Sequence, residues 1–181
     1  MTIHFVIIII IVILAVLGLI VATTYNKFQD YIIKINEVEG KIDESLREKF
    51  DIILNLNNVI KEKIKTQKSL VDDISKLKEK DISSFDMDRA LNEAMNKINF
   101  VKEKYEIVDG DEDIMKNIYD IEDIDESIRA CKKYYNETIT KYNILIRKFP
   151  YNLIGKILKY DEKTFFDGKN MNDKNIKDFK L

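Results

Sequence analysis

"FVIIIIIVILAVLGLIVATTYNKF", residues 5–28, holds the transition that decides the fold. From Phe5 to Ala22 no side chain carries a charge or a hydrogen-bonding group. As an α-helix this run covers roughly 27 Å, close to the hydrocarbon thickness of a bilayer. A soluble core helix shows an apolar stripe, whereas this one is apolar all round, with Phe5, Ile9, Ile13, Leu17, Ile20 and Ala22 spread along it. A cleaved signal peptide would need a basic start and a small-residue cleavage site; no Lys or Arg precedes the run, and "LIVATTYN" has no A-x-A-like pattern. The expectation is an uncleaved single-pass anchor over residues 1–24. Lys27, Lys34 and Lys41 follow the span, so the positive-inside rule places the C-terminal domain in the cytoplasm and the N-terminus outside.

Beyond Tyr25 the pattern changes from all-round to one-sided. Phe28, Ile32, Ile35, Val38, Ile42, Leu46, Phe50, Ile53, Leu56, Ile60, Ile64, Leu70/Val71, Ile74 and Leu77 step by three and four, which predicts one amphipathic helix over 25–78. Gly40 is its one interior glycine and predicts a bend or a close helix contact. "KEKDISSFDMD" breaks the stripe and offers Ser83, Ser84 and Asp86 as caps. A second stripe follows: Met87, Leu91, Ala94/Met95, Ile98, Val101 and Tyr105. "VDGDED" then supplies a turn at Gly110 and a cap at Asp111 or Asp113.

The third stripe is a heptad. Ile114, Ile121, Ile128, Tyr135, Tyr142 and Phe149 lie seven apart, the spacing of a coiled-coil seam held against partner helices. Pro150, the single proline, ends it, and a short helix is expected over 150–160. Residues 167–181 read as a polar tail, with the lysines from Lys156 to Lys180 interleaved with acids. The fold class is therefore all-α: a transmembrane helix, then an elongated antiparallel bundle over 25–166 of three long helices and a short one.

Composition narrows the function. The 181 residues carry a net charge of −2, giving no uniform basic face for nucleic acid. One histidine, His4, sits beside the span, so none is available for catalysis or metal ligation in the bundle. One cysteine, Cys131, excludes an internal disulfide and falls near the seam, where a small buried side chain is expected. Nine carboxylates lie between Asp109 and Glu126, but the calcium-loop template fails: its sixth and twelfth positions hold Ile114 and Asp120. Phosphate-binding, nucleophile-elbow and C-x-x-C motifs do not occur. No enzyme activity, cofactor or metal is expected.

"KYYNETITKYNILIRKFPYNLIG", residues 133–155, repeats Tyr-Asn at 135–136 and 142–143. The tyrosines continue the seam, and each asparagine stands at its edge, where an amide bonding to a neighbouring helix would fix register. Together with Tyr25-Asn26, Ile42-Asp43, Asn55-Leu56, Phe149-Pro150, Asn152-Leu153-Ile154 and Phe165-Phe166, the string resembles the LemA family over residues 5–167. That resemblance implies a bacterial membrane-anchored helical bundle with no established catalytic activity and no agreed ligand-binding residues. Two functions follow: a membrane-tethered scaffold whose partners are the lipid bilayer, membrane proteins or its own copies; or a sensor taking a ligand or peptide between helices at Tyr135, Asn136, Tyr142 and Asn143.

Overall fold

The computed structural model describes residues 2–65, 82–105 and 110–171. Among them are four helices and no strand: α1 (Thr2–Lys63), α2 (Ser84–Lys104), α3 (Glu112–Arg147) and α4 (Tyr151–Ile157). The chain divides into two compact units, residues 1–37 with 135–181, and residues 38–134. Both α1 and α3 contribute residues to each.

In the first unit, α1 runs unbroken from the apolar span into the amphipathic stripe. Every described side chain from Ile3 to Thr23 is exposed, and burial begins abruptly at Thr24, which keeps 2% of its surface. Phe28 is the centre of the core that follows, with Ile35, Ile139, Tyr142 and Ile146. Its ring lies 4.8 Å from that of Tyr160 and meets those of Tyr142 and Tyr151 edge-on at 5.9 and 6.3 Å, the arrangement aromatic quadrupoles prefer. Gly155 lets α4 approach α3: a Cβ there would stand 3.3 Å from the Ile146 side chain, while the Phe28 ring of α1 would be at an ordinary contact of 3.5 Å.

The heptad of α3 holds through Tyr142 and fails at its last position. Ile114, Ile121, Ile128 and Tyr142 are buried and Tyr135 is half-buried, but Phe149 is 78% exposed. Pro150 denies Phe149 the helical conformation, so α3 ends at Arg147 and Phe149 leaves the seam. Pro150 occupies the cap position of α4 rather than its first turn. Ile146 and Ile154 take the buried places at this end. At the other end of α4, Tyr160 N–H donates to Gly155 C=O at 2.9 Å around Lys159, whose φ of 58° closes the helix in a left-handed turn.

In the second unit the stripes read from the sequence face inward: Val38, Ile42, Leu46, Phe50, Ile53, Leu56 and Ile60 from α1, Leu91, Ala94, Ile98 and Val101 from α2, and Ile118 and Ile124 beside the heptad of α3. Contacts give the directions. Lys49–Asp125, Asn55–Asn117 and Lys63–Asp111 run oppositely along α1 and α3, making them antiparallel. Asp43–Ser84 and Lys49–Asn92 advance together, so α2 runs with α1. Ser83 Oγ accepts from Asp86 N–H as the cap of α2, and Asp111 Oδ1 accepts from Ile114 N–H as that of α3.

Three expectations from the stripes do not hold. The first helix stops at Lys63, and Lys65 turns with a φ of 53°; Leu70, Val71, Ile74 and Leu77 lie outside the described residues. Of the two roles expected for Gly40, the close contact is absent: nothing stands within 4 Å of where a Cβ would be. Tyr105 is the C-cap of α2 and largely exposed, because the helix ends one residue before it.

Lys49 is fully buried, its ammonium donating to Asn92 Oδ1 at 2.7 Å and to Asp125. A buried ammonium depends on its partners far more than they depend on it. Asp125→Ala should therefore destabilise by about 3 kcal/mol, the low end for a buried pair because Asp125 keeps 27% of its side chain in water. Lys49→Met, which fills the same volume without charge, should be neutral or stabilising. Chemical denaturation of the detergent-solubilised chain checks both; equal losses from the two changes would contradict this account.

Candidate functional site: the tyrosine–asparagine ladder

The repeated Tyr-Asn pairs of α3 face the extended segment 161–166 of their own unit. Tyr142 is buried, and its hydroxyl donates to Asp161 C=O at 3.0 Å. Asn143, also fully buried, uses both ends of its amide on one residue: Nδ2 donates to Lys163 C=O at 2.8 Å, and Oδ1 accepts from Lys163 N–H at 2.9 Å. One turn-pair earlier, Asn136 Oδ1 accepts from Phe166 N–H at 3.0 Å, and the Tyr135 ring meets Phe166 edge-on at 6.3 Å. Arg147 grips Glu162 with two parallel bonds of 2.7 and 2.6 Å.

The seven-residue repeat now has a geometric reason. Asn136 and Asn143 are separated by about 10.5 Å along the helix axis. Lys163 and Phe166 are three residues apart, about 10 Å in extended chain. Amides at heptad spacing on α3 thus meet backbone groups three residues apart, at Lys163 and Phe166. A carboxamide has one acceptor and one donor end, as a peptide group does, so it can replace a strand neighbour for a single residue. The asparagines were expected to bond to a neighbouring helix; they bond instead to an extended segment that runs antiparallel to α3.

Electrostatics follow the same contacts. Burial, with smaller contributions from Tyr160 and Asp161, pushes the Tyr142 phenol up to about 12. The Arg147 guanidinium holds the Glu162 carboxyl below its ordinary value, and Glu162 in turn raises Arg147. In the second unit Lys63 lowers Asp111 and is itself raised. The ladder offers hydrogen-bond donors and acceptors already engaged by backbone, and it contains no nucleophile paired with a base.

The remaining sequence-selected residues do not converge on one place. Phe5, Ile9, Ile13, Leu17, Ile20 and Ala22 lie exposed along the span of α1, and Tyr25 and Asn26 follow it, exposed. Ile42 and Leu56 are buried in the second unit; Asp43 accepts from Ser84 Oγ, and Asn55 donates to Asn117 Oδ1 at 3.2 Å. Phe149 and Pro150 form the turn into α4, and Asn152 Oδ1 is the one buried side-chain oxygen without a partner among the described residues. Cys131 is half-buried. Sequence reasoning missed Lys49, although a count of seven from Phe28 through Ile35 and Ile42 lands on it. It also missed the segment 161–166, whose only apolar signal is Phe165-Phe166.

Comparison with protein families gives a match to the LemA family, whose model covers residues 39–178 and so takes in the second unit, the ladder and the segment it holds. The chain belongs to the LemA family. No curated protein matches it. The family match begins after the span, so Tyr25-Asn26, and all of residues 5–38 of the resemblance read from the sequence, lie outside it.

In this LemA-family chain, Asn143→Ala should release Lys163 N–H and Asn136→Ala Phe166 N–H, each losing amide-exchange protection at its own residue by roughly 1–2 kcal/mol. Loss of protection throughout α3 instead would show that the amides hold the helix rather than the segment. The Tyr142 phenol gives a pH test. Its folded value of about 12 exceeds its ordinary 10.0, so its contribution is complete below pH 10.0 and disappears as pH rises toward 12. Alkaline unfolding in that window should be blunted in Tyr142→Phe, and the phenolate absorbance step near pH 12 should vanish with it.

Proposed function

We propose that the protein is a non-enzymatic, single-pass membrane protein that holds its helical units at the bilayer as an interaction module for membrane proteins or further copies of itself. The observation that carries the reading is the continuity of α1. One unbroken helix passes from an apolar run exposed on every side, long and apolar enough to cross a membrane, into the stripe that builds the bundle. Exposed apolar surface of that extent needs hydrocarbon or another protein to cover it. Lys27, Lys34 and Lys41 support a cytoplasmic bundle with the N-terminus outside.

Two further observations favour interaction over chemistry or sensing. The groups whose proton affinities are shifted all serve structural contacts: Lys27 with Tyr151, Lys63 with Asp111, Arg147 with Glu162, and Tyr142 within the ladder. The polar atoms that a ligand cleft would use, the Tyr142 hydroxyl, Asn136 Oδ1 and both ends of the Asn143 amide, are engaged by residues 161–166.

Crosslinking in intact cells followed by detergent purification tests the reading. The same membrane proteins should be recovered with the full chain and with a chain whose residues 3–23 are replaced by an unrelated span. A monodisperse monomer in nanodiscs with no crosslinked partner would overturn it. For sidedness, Asn170→Cys in a Cys131→Ser background should resist an impermeant thiol reagent until the cells are permeabilised.

A further inference from the structure

The first unit leaves one apolar face uncovered beside the end of the span. On α4, Ile154 and Gly155 face inward against Ile146 and Phe28. Phe149, Leu153 and Ile157 follow one another at four-residue steps and are 78, 52 and 78% exposed. A step of four keeps Leu153 and Ile157 on one side of α4, and Phe149 adds an exposed ring in the turn before it.

The stretch that carries this apolar edge is basic, with Asp161 and Glu162 following it and Glu162 paired to Arg147. Residues 138–160 contain five basic side chains (Lys141, Arg147, Lys148, Lys156 and Lys159) and no acidic one, in a chain whose net charge is −2. Lys148, Lys156 and Lys159 are exposed beside the apolar edge. An apolar ridge flanked by lysines fits the boundary between acyl chains and anionic headgroups.

The position along α1 is what makes that boundary the fitting partner. Lys27 Nζ donates to the Tyr151 hydroxyl at 2.9 Å, and the Phe28 ring faces Gly155. α4 is thus fastened to α1 five and six residues beyond Ala22, about 8–9 Å along the helix axis. Each headgroup layer of a bilayer is roughly 5–8 Å deep. Burial on α1 starts earlier still, at Thr24. Tyr151 and Tyr160 stand at the same level, the depth at which amphipathic rings gather in membrane proteins.

We propose that α4 and its flanking turns, residues 148–159, form an interfacial foot that lies in the headgroup layer of the leaflet from which α1 emerges and binds anionic phospholipid. Phe149, Leu153 and Ile157 enter the acyl boundary, and Lys148, Lys156 and Lys159 meet the phosphates. With the foot in place the membrane contacts the first unit at two points, and α1 is held at a fixed rotation about its axis. The proposal rests on the reading of residues 3–23 as a membrane span.

Spin labels on the full chain test it in bilayers with and without phosphatidylglycerol. In a Cys131→Ser background, single cysteines replace Leu17 in the span, Leu153 and Ile157 on the foot, and Glu137 on an exposed part of α3. Accessibility to oxygen and to a water-soluble nickel chelate reports depth. In anionic bilayers, Leu153 and Ile157 labels should be several-fold less accessible to the chelate than the Glu137 label, and more accessible to oxygen. Lys148→Glu with Lys156→Glu should remove most of that difference; Lys159 is left intact because it closes α4. If the Leu17 label lies in lipid while Leu153 and Ile157 match Glu137, the foot is overturned and the span stands. If Leu17 itself is open to the chelate, span and foot both fall. Equal depth in phosphatidylcholine alone, unaffected by the charge reversals, would overturn the assignment to anionic lipid.

Discussion

In hydrocarbon no water is available to a freed backbone group, so a chain that crosses a bilayer alone must remain helical throughout. α1 carries a run apolar and long enough to cross a membrane, and continues from it to Lys63 without a break. Once the span is helical, the rotational phase of every later α1 side chain is set. Phe28 sits on the buried face because it is in phase with Thr24 behind it and Ile35 ahead of it. The aromatic cluster of the first unit gathers on that ring: Tyr142 from α3, Tyr151 from α4 and Tyr160 from the segment beyond. Gly155 lies against that ring and against Ile146, the tighter of the two neighbours a Cβ there would meet.

The ladder solves a different problem. A polar extended segment such as 161–166 has too little apolar surface to order itself by burial alone; only Phe165 and Phe166 contribute. Its backbone groups must find partners, and no strand is present to provide them among the described residues. Asn136 and Asn143 supply amides from a helix instead, two helical turns apart, to Phe166 and Lys163. Because they bond backbone, they place few demands on the side chains they hold.

Periodicity told which residues are buried and left open what meets them. The stripes of α1, α2 and α3 were legible because burial repeats with the helix, and so was Ser83 as a cap. Phe149 misled because a heptad count is blind to the conformational effect of the next residue, here Pro150. The bonding partners of Asn136 and Asn143 were illegible for a related reason. A sequence pattern fixes the face of an element, but a coil segment with no period of its own leaves no pattern to match against it. Lys49 was hidden by its chemistry, since a lysine between Leu46 and Phe50 reads as a solvated flank unless the count of seven is kept strictly.

Lys49 also shows how the axial register of the second unit is held. A seam of Ile, Leu and Val tolerates a slide of one heptad, because each step replaces one aliphatic contact by another. Lys49 does not. Its ammonium needs Asn92 of α2 and Asp125 of α3 at the same level. A slide of seven residues along α1 would set Ile42 or Leu56 against that carboxylate and carry the ammonium among aliphatic side chains. Asp88 with Lys132 imposes the same condition between α2 and α3. A buried ion pair adds little net stability when formed and costs several kcal/mol when mismatched, so its effect falls almost entirely on the misaligned alternatives. The family match spans these positions, and the register they select is the one that brings Ser84 at the start of α2 onto Asp43 of α1, and Asp111, the cap of α3, onto Lys63.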